Sequence, residues 1–323
     1  MKLAIINQKK GAKSVTLHDN NIKDNFINHF SDIARIDVEK QGSDRLIKIV
    51  SSTGETVIIR VNELNQMIGL SMLHTKEIGD QFLSNNAYLV EAEFPALTTV
   101  GNECLKSNNS IVKVNVPELI TAGNRFIPRS KILVEADFPK LTTTGEQFIS
   151  TIEMNLTSLG AQLVIELSKV MPMVTSNEQF LELANLIVGK MDKCQDVSVS
   201  TTEFIRAIET LESYTGPVDS NTMEEWWMNT LRDTRLCAPM NFPNLAKTGP
   251  SFMSSVLSAE VNCTSLVEAD EAFMRRNALL ERADFGMLTK IGGDFFGMHP
   301  HFKGDKGTVE EFLELMSQNS NIR

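Results

Sequence analysis

Seven positions carry an acid or its amide in the same local context: Glu93, Asn115, Asp137, Asn155, Asn241, Asn262 and Asp284. In "EAEFP" around Glu93, Ala92 and Phe94 alternate with Glu91 and Glu93, so a strand here sends its apolar and polar residues to opposite faces. A column of outward carboxylates and amides can do two things. It can bond to itself as a polar ladder along neighbouring strands, or it can present an acidic, amide-rich face to a basic protein partner. Calcium would need several oxygens converging on one point, which a flat column does not offer.

Other reactive side chains carry weaker signals. Cys104, Cys194, Cys237 and Cys263 form no CxxC pair, which argues against zinc and dithiol chemistry and for buried, reduced thiols. His299 and His301 in "GMHPHFKGDKG" alternate as strand residues could, but no further ligand cluster accompanies them. His18, His29 and His74 are scattered. "KKGAKS" near Lys9 lacks the GxxxxGK[ST] spacing of a phosphate cradle. There is no GxSxG elbow, HExxH helix or GxGxxG turn. No catalytic residue, metal or cofactor is therefore expected. Trp226 and Trp227 are adjacent, and neighbouring helical residues diverge by about 100°. One of the pair is thus a candidate anchor for a partner, the other a packing residue.

The elements that position these residues repeat. "LVEAEFPALTTVGNECL" (89–105) returns as "LVEADFPKLTTTGEQFI" (133–149), with a degraded copy, "IVKVNVPELITAGNRFI", between them. Gly79, Gly101, Gly123 and Gly145 follow at steps of 22 residues, as do Phe82, Cys104, Phe126 and Phe148, and Pro95, Pro117 and Pro139. The template returns in "MNFPNLAKTGPSF", "VNCTSLVEADEAF" and "ADFGMLTKIGGDF". A short form, "MNLTSL" (154–159), is read as a further copy that contributes Asn155. A fixed step of this size is a solenoid signature.

The x-Phe-Pro-x-Leu-x-x-x-Gly-x-x-Phe pattern resembles the BspA-like class of leucine-rich repeats. The resemblance covers roughly half of the chain and implies a repeat fold that binds other macromolecules, without catalytic residues. The expected fold is α+β: a leucine-rich-repeat solenoid with a small N-terminal α+β cap and an inserted helical bundle. The expected units are an N-terminal capping unit (1–68), repeats (69–159), a helical insertion (160–236), repeats (237–300) and a capping helix with tail (301–323).

Within these, "KLAIIN" reads as a strand, "NNIKDNFINHF" as a helix, and "ARIDVEKQ", "RLIKIVSS" and "TVIIRVNE" as a β-meander. "SNEQFLELANLIVGKM", "STTEFIRAIETLESY" and "SNTMEEWWMNTLRDTRL" read as helices, the second opening with Ser200 and Glu203 at capping-box spacing. They are expected to form a bundle projecting from the repeats. "GTVEEFLELMSQNSNIR" reads as the C-terminal helix.

A net charge of −10 over 323 residues disfavours nucleic-acid binding, which needs clustered Lys and Arg. No window is long and apolar enough to span a membrane. The opening "MKLAIINQKKGAKS" lacks the order of a secretory signal. A reducing, cytoplasmic location is expected, with export by another route or incorporation into a virion left open. The leading function is a non-catalytic protein-binding scaffold or adaptor. The alternatives are a structural or self-assembling component of a virion or other large complex, and a host-directed effector whose activity resides in the insertion or N-terminal unit.

Overall fold

Strict alternation of aliphatic residues builds the first sheet. In a computed structural model, strands Ile33–Gln41, Asp44–Ser51, Thr56–Val61 and Met67–Met72 form an antiparallel meander. Ile47, Ile49, Val57, Ile59 and Val61 point to one face and are buried. Gly42 and Gly54, at φ of +62° and +89°, make turns that a Cβ would strain. The described residues are 2–3, 15–16, 33–64, 66–128, 132–134, 136–150, 154–191, 197–233, 235–277, 280, 282–285 and 288–294. Lys2–Leu3 pairs with Val15–Thr16. The expected helix at 20–30 and the expected C-terminal helix lie outside the described residues.

From Met67–Met72 onward the pairing turns parallel. Leu70 lies opposite Ala92, and Ala92 opposite Val114, which joins strands Glu91–Glu93 and Lys113–Asn115 to the meander in one six-stranded sheet. A separate four-stranded parallel sheet contains Glu77–Ile78, Thr99–Val100, Thr121–Ala122 and Thr143–Thr144. Ile127–Pro128 pairs with Ile149–Ser150, and Ile132–Val134 with Met154–Leu156. Later in the chain, Met240–Asn241, Glu260–Asn262 and Arg282–Asp284 form a three-stranded sheet, and Glu268–Ala269 pairs with Lys290–Ile291.

This arrangement corrects the expected α+β leucine-rich-repeat solenoid. The fold is mixed α/β, made of several small sheets and four helices among the described residues. The strands, many only two or three residues long, are distributed over these sheets rather than joined in one continuous array. The meander shares a sheet and a core with the strands that follow. The 22-residue spacing sets which neighbours pair; it does not dictate the architecture around them.

Two backbone constraints act where neighbouring segments meet. A Cβ on Gly123 would lie 2.7 Å from the carbonyl carbon of Gly101 and 2.8 Å from the amide of Asn102. Gly145 stands in the same relation to Gly123, and Gly249 to Gly145. Two residues after each glycine the chain adopts left-handed φ: Glu103, Arg125, Gln147 and Ser251 lie between 52° and 58°. Their amides donate to Asn124, Glu146, Pro250 and Glu271 carbonyls at 2.7 to 2.8 Å. The ring stacking runs the same way, with Phe126 on Phe148, Phe148 on Phe252 and Phe252 on Phe273 at 5.6, 5.6 and 5.4 Å.

The helices are α1 (Ser158–Val170), α2 (Asn177–Met191), α3 (Thr201–Glu212) and α4 (Ser220–Thr230). Thr157, Ser200 and Asp219 cap α1, α3 and α4 by accepting amide hydrogens from Gly160, Glu203 and Thr222. The helical segment leaves and re-enters at one place. Leu156 bridges Cys237 antiparallel, Thr157 N donates to Leu236 O at 3.0 Å, and Ala238 N donates to Asn155 O at 2.7 Å.

The expectation of a projecting bundle is also corrected. Val90, Val112, Leu156 and half-buried Ile68 and Val134 pack against Ala161, Val164 and Ile165 of α1 and Phe204 and Ala207 of α3. A second cluster ties α1 to α2 and α4 through Leu163, Leu167, Phe180, Ala184 and Trp226. α1 and α3 therefore lie on the sheet, because the aliphatic row before each strand needs cover, while α2 packs against the other helices.

Gly123→Ala should destabilise the protein by about 1–3 kcal/mol, since backbone rather than a flexible side chain blocks the methyl. Ser255→Gly, at a φ of 64°, should instead stabilise it by about 0.5–1 kcal/mol by relieving the left-handed conformation. Urea unfolding of both variants measures the two opposite signs.

Candidate interaction surface

Alternation in the strands turns Glu93 and Asn115 away from the core while Ala92 and Val114 enter it. Glu93 lies opposite Ser71 on one side and Asn115 on the other, and accepts the Ser71 hydroxyl at 2.8 Å. Asn115 and Asp137 are exposed. In the later sheet Asn262 sits between Asn241 and Asp284. Its Nδ2 donates to Asn241 Oδ1 at 2.9 Å and to Glu260 Oε1 at 3.2 Å. The polar ladder is thus built locally at Asn241–Asn262, and Glu93 is tied to Ser71 instead of to an amide of the column.

Asn155 does not belong to this surface. It is 1% exposed and lies opposite Leu133, an inward residue, so the same pleat carries it inside. Its Oδ1 accepts Ala136 N at 3.1 Å and its Nδ2 donates to Ala136 O at 3.3 Å. "MNLTSL" imitates "VNCTSL" in letters, but the strand register places its asparagine differently.

The neighbouring outward row is largely neutralised. Arg60 pairs with Glu91, whose other oxygen accepts the Thr201 hydroxyl at the start of α3. Arg282 pairs with Glu260 at 2.9 Å. Sequence reading missed Arg60, Thr201 and Ser71; Thr201 stands 110 residues from Glu91, and no local pattern marks such a contact.

Asp137 differs from its neighbours. The residue is exposed as a whole, but partial desolvation of its carboxyl raises its pKa above the ordinary aspartate range, opposed by the bond it accepts from Phe138 N at 3.0 Å. No cation among the described residues is paired with it.

The tryptophans are packing residues first. Trp226 is 6% exposed, contacts Phe180 edge-on at 5.6 Å and donates Nε1–H to Asn185 Oδ1 at 3.0 Å. This removes it as an exposed anchor. Trp227 is half-buried where the sheet–helix cluster meets the helix–helix cluster. Cys104 and Cys263 are fully buried, and burial drives both thiols far above their usual range. Cys237 is pushed up to about 11 by burial. Thiolate chemistry is disfavoured at all three. Cys194, His18, His29, His299 and His301 lie outside the described residues, and His74 is exposed. Among the described residues no group of three or more His, Cys, Asp or Glu side chains converges as metal ligands. No helix of the described residues is long and apolar enough to cross a membrane.

Compared with known proteins, the chain matches no family model, and neither a curated protein nor a solved structure is significantly similar to it.

The raised Asp137 pKa fixes the sign of a pH effect. The folded state holds this proton more tightly than the unfolded chain, so ionisation costs stability as pH rises from the unfolded value, about 3.9, through the folded one. Asp137→Asn should therefore raise Tm at neutral pH, with the difference vanishing in acid. Equal gain at every pH would exclude ionisation as its cause.

Proposed function

We propose that this protein is a non-catalytic binding scaffold whose outward row, Glu93, Asn115, Asp137, Asn241, Asn262 and Asp284, receives a basic segment of a protein partner. The observation that carries the reading is Asp137. Its carboxylate is partly desolvated and lacks a cationic neighbour among the described residues, so its ionisation costs free energy in the unbound protein. A Lys or Arg from a partner would relieve that cost, which gives the contact a driving force beyond ordinary surface Coulomb attraction. Asn115, beside Glu93 in register, adds an amide that can bond to a partner's backbone or side chains.

Affinity capture from native extract with wild-type protein and with a Glu93→Lys/Asp137→Lys variant tests the reading. A partner eluted by moderate salt and bound about tenfold more weakly by the variant is expected. Equal retention of every captured protein by the charge-reversed variant rejects it.

A further inference from the structure

The outermost strand of the six-stranded sheet, Ile33–Gln41, is nine residues long and pairs on one side only, with Asp44–Ser51. Among the described residues no strand lies along its other side. Arg35, Val38, Glu39 and Lys40 are exposed. Val38 is 40% exposed although it stands opposite Ile47, which is 2% exposed. The core face is therefore exposed at Val38, while Ile36 on the same face is half-buried against the core. Long open edges template pairing with another strand and are usually blunted by bulges or by charge. Here the register shifts between Ile33 and Arg35, and from Arg35 onward the pairing is regular and the charges have a particular order. Ile36 and Val38 share the core face, while Arg35, Asp37 and Glu39 alternate on the opposite face.

We propose that this edge pairs with the same strand of a second copy of the chain, antiparallel, about a two-fold axis through Ile36. Side chains opposite one another across such an axis must share a face, which leaves few registers. An axis through Asp37 sets two aspartates against each other, and an axis through Val38 sets Asp37 against the partner's Glu39. Both juxtapose like charges, which destabilises a strand pair. The axis through Ile36 sets Arg35 against the partner's Asp37 and Asp37 against the partner's Arg35, with the two Ile36 side chains adjacent on the core face. Arg35 and Asp37 already lie 2.6 Å apart within one chain, so the dimer closes an alternating four-charge cluster over a continued sheet. The interface is isologous and closes after two copies. It uses none of the residues of the acid/amide row, so it stands or falls apart from the scaffold reading.

Sedimentation equilibrium of the full chain over a concentration series reads the mass directly, with circular dichroism as a check on folding. A concentration-dependent dimer is expected, as befits an interface of one strand pair. Arg35→Asp and Asp37→Arg, each made alone, should raise the dissociation constant about tenfold or more. The double variant R35D/D37R swaps the charges in register and should restore the dimer. A wild-type monomer at the highest soluble concentration overturns the proposal, as does a dimer indifferent to both single reversals or one not recovered in the double variant. Two separate reversals keep the test intact if one fails to fold.

Discussion

Backbone laid directly on backbone is the constraint from which the rest of this structure follows. At Gly101, Gly123, Gly145 and Gly249, each segment approaches the preceding one more closely than any Cβ permits. Once that approach is fixed, the following residues have little choice. The chain turns through left-handed φ at Glu103, Arg125, Gln147 and Ser251 so that each amide reaches a carbonyl of the next segment. Non-glycine residues pay about 1–2 kcal/mol each for that conformation. The aligned amide bonds and the buried ring stacks below them offset it. Cys104 fills the slot that phenylalanine holds elsewhere and remains inside, because a small apolar side chain serves where ring volume is not needed.

The same constraint explains how the chain carries a large helical segment without losing register. The departure at Leu156 and the return at Cys237 are bonded to each other, and Gly160 lets α1 press against the Leu236 carbonyl, where a Cβ would sit only 1.9 Å away. Beyond the return, Gly249 lies on Gly145 and Phe252 on Phe148, as though the segment between them had been spliced out. The helices are held by the aliphatic row they cover and by Thr201 on Glu91. A sheet face with Val90 and Val112 left bare would expose a continuous apolar strip. The helices thus shield that strip from water.

Much of the local structure was legible in the residues, and its limits have physical causes. Period-2 alternation located the meander, and fixed spacing located the glycine and phenylalanine columns, because both patterns reflect contacts made by every member. Helical periodicity and the Ser200–Glu203 spacing located α3 for the same reason. One reading failed where the signal was only textual. Asn155 shares its neighbours' letters with Asn262, yet pairing against Leu133 turns it inward. The second core at Val90, Val112 and Val134 was not legible, since nothing in a single sequence distinguishes apolar residues facing one core from those facing another. The solenoid expectation failed at a higher level. Periodicity constrains which segments are neighbours but carries no information about how many sheets they form or what covers them.

Charge is distributed unevenly among these layers. Cations answer the acids two residues before the outward row: Arg60 meets Glu91, and Arg282 meets Glu260. Arg125 reaches both Glu103 and Glu146 at 3.4 Å across successive segments. These pairs hold elements of the same chain in register. The outward row is composed differently, with amides at Asn115, Asn241 and Asn262 separating the acids along the sheets. Spacing the charges in this way limits repulsion between like neighbours, which a continuous carboxylate column at strand spacing would suffer. At Asp137, desolvation raises the carboxyl's pKa, and the bond it accepts from Phe138 N opposes that shift, so the local fold itself sets the cost of this charge.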